Sequence, residues 1–226
     1  SVNIRTRTGW YIAPNIFRAL ADAVPAQVQA FTGLPVAANI YGQTAQGVTY
    51  SDLLFVGGGQ GASSRHDGKS GLLWPTSAAN TSIELFETRV PVLVVEKTYL
   101  ENSGGPGEQR GGLGQRVRFR KLTQDGQTTL VSVYPEGVGN PTEGLFGGHA
   151  GGEARGVVID PEGRLLHDCG TGDLVSLNRP DEIVEIVIAG GAGFGDPKQR
   201  NRGRVQQDLE DGLISLDAAK NDYGLN

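Results

Sequence analysis

The chain contains no methionine, one cysteine, two tryptophans and three histidines in 226 residues. Without methionine even at position 1, it reads as a fragment, a processed chain or an expressed piece of one. Cys169 alone cannot close an internal disulfide, which fits a reducing compartment, and the usual place for a lone cysteine is a core. No apolar run approaches the roughly 18 residues of a membrane-spanning helix, and no charged-then-apolar leader opens the chain. The expectation is a soluble, cytoplasmic protein. A strong field of one sign is also missing: 20 basic against 25 acidic residues leave a net charge of −5, which disfavours nucleic acid and anionic membrane as partners.

Glycine is what the chain has in excess, at 35 of 226 residues, against an ordinary share of about 7%. Glycine and proline together still fall short of the roughly 25% that marks low-complexity chains, so ordered turns are expected rather than disorder. The stretch SGGPGEQRGGLG, residues 103–114, concentrates the question: it either holds an anion on freed backbone amides or turns main chain through a crowded place.

Hydrophobic periodicity places one apolar stripe on a helix from Ile12 to Phe31 (Ile12, Ile16, Phe17, Leu20, Val24, Val28, Phe31), with a break at Pro25. Short β-type runs follow Gly33. RVRFRKL and TLVSVY are expected to form a hairpin through Asp125 and Gly126, and RGVVID and RLLHD a second one through Pro161 and Gly163. Further strands are expected at Thr49 to Val56, Ser82 to Glu87, Val92 to Thr98, Asp173 to Leu177 and Ile183 to Ala189. Near the end RVQQDLEDG reads as a short helix stopped by Gly212, and Ser215 caps another. The fold class is α+β, predominantly antiparallel β, with one longer N-terminal helix and two short C-terminal helices. Residues 1–226 read as a single compact unit.

The chemical motifs are mostly negative. GGGQGA (57–62) has dinucleotide-fingerprint spacing but lacks the following helix that would meet a pyrophosphate, and SSRHDGKS has Ser63 where a Walker A glycine belongs. The 103–114 stretch runs into the strand GQRVRFR, so Arg110 and the neighbouring amides read first as a backbone device. Arg116, Arg118 and Arg120 share one strand face, without the interleaved aromatics that nucleic acid calls for. Ser63, Ser64, His66 and Asp67 are neighbours in one turn, and His167, Asp168 and Cys169 alternate along a strand, so neither set closes on a triad or a metal. On a strand, Glu84 and Glu87 would point to opposite faces, against paired acid/base work.

Five blocks occur in a familiar order: SDLLFVGGGQGASSRHDGKSGLLWP, NTSIELFETRVPVLV, ENSGGPGEQRGGLGQRVRFR, GGAGFGDPKQR and VQQDLEDGLISLDAAKNDYGLN. Together they resemble the hydantoinase B/oxoprolinase family. That family includes B subunits of N-methylhydantoinases, the C-terminal half of ATP-dependent 5-oxoprolinases and subunits of acetone and acetophenone carboxylases. The resemblance implies the C-terminal portion of a longer B-type subunit, working on a cyclic amide that an A-type ATPase partner has phosphorylated. Such activation gives a poor electrophile a leaving group. It also implies a hetero-oligomer in which ATP and Mg belong to the partner, this chain binds no cofactor, and any metal sits in a region N-terminal to it. A ketone carboxylase subunit and a non-catalytic scaffold module are the alternatives. Asp67, Glu84, Glu87 and Arg110 fall within the matching blocks and are the candidates for lining the substrate site or fixing its loops; no nucleophile or general base is assigned.

Overall fold

A segment alternating arginine with Val117 and Phe119 can bury only one face. In the computed structural model, which describes residues 5–76, 78–122 and 124–225, Gln115–Lys121 is a strand with every second residue buried. In chain order the strands are β1 (Val36–Gln43), β2 (Thr49–Val56), β3 (Val92–Tyr99), β4 (Gln115–Lys121), β5 (Thr129–Val133), β6 (Arg155–Ile159), β7 (Leu165–Asp168), β8 (Asp173–Leu177) and β9 (Ile183–Ile188). They form two antiparallel sheets, ordered β2-β1-β5-β8 and β3-β4-β9-β6-β7. Helices α1 (Arg5–Trp10) and α2 (Ile12–Leu20) precede the sheets, α3 (Ile83–Glu87) lies between β2 and β3, and α4 (Arg202–Glu210) and α5 (Leu216–Asn221) close the chain. This is the expected α+β, mostly antiparallel class.

Inward residues of both sheets meet in one buried cluster: Val36, Ile40 and Leu54 from one side, Val117, Phe119 and Ile186 from the other. Burying each such side chain contributes roughly 1.5–3 kcal/mol. The outward arginines are paired across strands, Arg116 and Arg118 with Glu96 on β3, and Arg118 also with Glu185 on β9. Among the described residues no helix is long and apolar enough to cross a membrane.

Two expectations need correction, a third is refined, and two elements were not anticipated. First, β4 and β5 are strands, but they do not form a hairpin; each lies in a different sheet. The Asp125-Gly126 turn exists, with Gly126 at φ +74, but Asp125 and the Gln127 carbonyl grip the buried ammonium of Lys121, steering the chain across the core instead of back along β4. The second hairpin, β6 to β7 with Gly163 at φ +82, forms as expected.

Second, residues 83–87 are helical. Ser82, extended at φ −64 and ψ 127, caps the turn by accepting the Leu85 N–H, and only Phe86 needs burial, which one helical turn provides. Third, the break expected at Pro25 is present, but the helix ends ahead of it. Helix α2 stops at Leu20, because Pro25 forbids the α conformation at Val24 (φ −138) and opens a 3₁₀ turn at Pro25–Gln27. Phe17, Ala21, Val24 and Val28 pack on Ala62 and Phe194, while Ile12, Ile16 and Leu20 are exposed on the outer side. Fourth, α1 and β1 were not anticipated; β1 is the hub of the first sheet.

Candidate functional site

The glycine-rich segments 57–61, 103–114, 144–152 and 189–195 come together beside the sheets, joined by Ala30 to Gly33. They are not ladder strands; apart from a reciprocal pair between Gln109 and Phe194, they are joined largely by isolated backbone hydrogen bonds. Gly59 donates to the Ala189 carbonyl, Gly191 to Gly112, Gly112 to Gln60, Gly105 to Gly191 and Gly152 to Ser103. The backbones approach so closely that a Cβ on Gly59 would lie 1.9 Å from the Gly112 oxygen, and one on Gly191 2.0 Å from the Gln60 oxygen. Glycine is therefore demanded by contact. Many of the amides that an anion would require are turned toward neighbouring carbonyls or side-chain oxygens.

An ionic network clamps this crossing. Arg200 holds Asp67 with two 2.8 Å hydrogen bonds and Asp208 with a third of 2.7 Å, while its side chain is 1% exposed. Arg110 reaches Asp208 through Nε at 3.3 Å, donates its Nη1 to the Gly111 carbonyl, and gives its backbone N–H to Asp67 Oδ1 at 2.7 Å. Arg204 completes the set by binding both Asp67 and Gln109. Burial alone would raise the Asp67 carboxyl, but the hydrogen bond and charge of Arg200, the Arg110 amide and the charge of Arg204 outweigh it and hold the group below the usual carboxylate range. Against its own desolvation, the hydrogen bond and charge of Asp67 and the charge of Asp208 push the Arg200 guanidinium up.

The four sequence-derived candidates fall into two groups. Asp67 and Arg110 meet directly, as anchors of the glycine loops. Glu84 and Glu87 lie on α3, where a spacing of three residues makes them neighbours instead of opposites. Glu84 is exposed and accepts the Ser82 hydroxyl at 2.8 Å; its own backbone amide and that hydroxyl lower its pKa. Glu87 accepts the Val94 N–H at 2.7 Å, where β3 bulges between Val94 and Glu96. Among the described residues no group of three or more histidine, cysteine, aspartate or glutamate side chains is placed to hold a metal. His167 pairs with Asp173 on the surface.

Arg200, Asp208 and Arg204 were missed in the sequence, although the charge-dense run PKQRNRGRVQQD directly after a glycine segment is a usable signal. Also missed was the glycine spacing itself: pairs 58/61, 111/114, 148/151 and 190/193 recur at three residues, the repeat of a polyproline II turn and not of a strand.

A cavity of about 330 Å³ adjoins the crossing, between α2 and residues 136–143. Tyr11 and Arg18 border one side, Glu136 and Thr142 the other. Thr142 is buried and ties the cavity to the glycine core, donating to the Gly190 carbonyl and accepting the Gly151 N–H, both at 3.0 Å.

Comparison with known proteins places this arrangement. Residues 1–197 match the hydantoinase B/oxoprolinase family model. The chain belongs to that family. It is 32% identical over 245 residues to the caprolactamase subunit beta of Pseudomonas jessenii, covering 99% of this chain and 40% of that protein. It is 31% identical over 206 residues to 5-oxoprolinase 1 of Arabidopsis thaliana, covering 86% of this chain and 16% of that protein. Among solved structures, the ATP-dependent caprolactamase from Pseudomonas jessenii superposes with a TM-score of 0.77 at 26% identity, over 92% of this chain and 37% of that one. An acetone carboxylase shares the fold with a TM-score of 0.69 at 19% identity, over 93% of this chain and 33% of that one. The chain thus spans well under half the length of these relatives.

Proposed function

We propose that the chain is the B-type portion of an ATP-dependent cyclic-amide hydrolase, receiving a substrate that an A-type ATPase partner activates by phosphorylation. The superposition on an ATP-dependent caprolactamase carries this reading, together with the match to a caprolactamase beta subunit along nearly the whole chain. Neither 57–61 nor 103–114 is followed by the helix that nucleotide phosphates require: 57–61 runs on to an isolated bridge between Ser63 and Gln29, and 103–114 into β4. ATP and Mg are accordingly assigned to the partner, any metal to a region outside this chain, and the hetero-oligomer to the ATP-rich cytoplasm. Asp67 and Arg110 keep the loops of the crossing rigid beside the cavity, in line with the need for a site held within tight geometric limits.

The test is reconstitution. The purified chain alone is expected to show neither ATPase nor cyclic-amide hydrolysis, whereas the complex with its A-type partner hydrolyses a cyclic amide with ATP. Turnover by the isolated chain would refute the assignment, and ATP consumption that requires bicarbonate would replace it with a ketone carboxylase. If Asp67→Ala and Arg110→Ala leave the turnover of the complex intact while a surface arginine change disrupts assembly, the scaffold reading gains.

A further inference from the structure

The arginine strand β4 lies on a surface that the glycine crossing leaves unused. Val117 and Phe119 enter the core, so Arg116, Arg118 and Arg120 stand on the outer face of the five-stranded sheet. Among the described residues no helix packs across that face; α3 meets only the edge strand β3. An antiparallel sheet with one face in water is expected to be polar there. Here a line of register partners crossing all five strands reads Leu93, Arg120, Ile183, Ile159 and Leu165, four aliphatic residues and one arginine. Ile159 is buried, Leu93 and Ile183 are half-buried, and Leu165 is 53% exposed.

The charges beside this line are unevenly matched. Arg116 and Arg118 take up Glu96, and Arg118 also Glu185. Arg120 donates to the Pro180 carbonyl at 3.3 Å, and among the described residues neither its guanidinium nor that of Arg155 has a carboxylate partner. Asp168, on the edge strand, accepts the Gly170 N–H. By register Arg120 and Arg155 stand two strands and four residues apart, roughly 16 Å. The cations of this face are arginines, the basic residue that protein interfaces favour over lysine. Five strands by four residues make a patch of roughly 19 by 13 Å, the size of an interface centre and not of a whole interface.

The complement of this face is a protein surface with aliphatic side chains and two carboxylates spaced to meet Arg120 and Arg155. A second copy of the chain brings the same two guanidinium groups to a self-contact, and nucleic acid finds no aromatic platform. We propose that the outer face of this sheet docks the A-type ATPase subunit through such a surface. This deepens the hydrolase reading above and rests on it for the identity of the partner.

The test is binding of the A-type subunit to the 226-residue chain, read by interferometry. Arg120→Glu and Arg155→Glu are each expected to raise Kd about tenfold or more, and added salt to weaken the wild type more than either variant. Lys220→Glu on α5, outside this face, is the reference and is expected to stay within about twofold. Thermal melts check that the variants fold. Should either reversal unfold, phenylglyoxal labelling of the wild type is the second arm: Arg120 and Arg155 are expected to react in the free chain and to be protected several-fold in the complex. Wild-type affinity in both reversals, equal labelling free and bound, or a stable homodimer that the reversals dissolve overturns the proposal. So does failure of the wild-type chain to bind the A-type subunit, whatever the turnover. A complex that hydrolyses a cyclic amide and holds both reversals at wild-type affinity removes the docking face alone. An A-type subunit that binds through this face without cyclic-amide turnover removes the hydrolase reading and leaves the docking face in place.

Discussion

Arg200 grips Asp67 with both arms of its guanidinium, Nη1 to Oδ1 and Nη2 to Oδ2, each at 2.8 Å. The two residues are 133 positions apart, and between them they tie the loop after β2 to the turn that precedes α4. Because Asp208 shares the same guanidinium at 8% exposure, removing the arginine would take the central cation from both carboxylates and leave Asp208 only Arg110 and Asp67 only Arg204 as ion-pair partners.

Arg200→Met is accordingly expected to cost about 3–5 kcal/mol of stability, the range for uncovering a buried partner charge. Asp67→Asn tests the same clamp through pH. A carboxyl held below its ordinary value in the folded state contributes stability that is complete above the unfolded value near 3.9 and is lost as pH falls through the folded value. The stability gap between wild type and Asp67→Asn, measured by denaturant titration, should stay constant from neutral pH down to about 5 and shrink below about 4. A gap that grows in acid contradicts the clamp.

The glycine crossing predicts a sharp contrast between two alanine substitutions. Gly191→Ala drives a Cβ to 2.0 Å from the Gln60 oxygen and 2.3 Å from its carbon, both main-chain atoms that no rotamer change can move. It should cost about 3 kcal/mol or more, or prevent folding. Gly9, within α1, has nothing within 4 Å of its added Cβ, so Gly9→Ala should stabilise by up to about 1 kcal/mol through helix propensity. Denaturation midpoints decide, and equal effects at the two sites would deny that contact is the reason for glycine.

Local pattern was legible where burial and geometry follow from a few neighbours. The period-two alternation of β4, the limits of β2 and β8, the Gly163 turn and the Ser215 cap could all be read directly from the sequence. Pairing was not, because which sheet β5 joins depends on where the Lys121 ammonium is satisfied, and that is a tertiary matter. Helix α3 was missed because five residues are too few for periodicity to separate it from a strand. Asp67 and Arg110 could be singled out because they sit inside glycine-rich blocks. Glu136 was not, since an isolated glutamate in the turn-like run YPEGVGNP carries no local sign of burial.

Cys169 gives a chemical check on the two-sheet core. It is 4% exposed, and burial, with Asp173 and Asp168 close in charge, pushes its thiol up to about 11. Only the thiolate attacks disulfide reagents. Native protein at pH 8 should therefore react with an aromatic disulfide reagent at least about a hundredfold more slowly than denatured protein, which shares the same single thiol. Rapid native labelling would mean that the end of β7 opens readily.

Glu84 and Glu87 differ in what they hold, and their alanine variants should separate structural from substrate roles. Glu87→Ala removes the acceptor of the Val94 N–H at the β3 bulge, so it should cost about 1–3 kcal/mol and speed exchange of that amide. Glu84→Ala loses an exposed contact with Ser82 and a solvent-screened attraction to Lys97 and should leave the melting temperature nearly unchanged. In the assembled complex the two should also part in their kinetics. If Glu87 acts only through the bulge, its variant loses activity in proportion to the folded fraction, with KM unchanged. A raised KM in Glu84→Ala at full stability would instead put that carboxylate in contact with the substrate, on a helix whose buried side is anchored by Phe86 and whose outer side is free to face a partner.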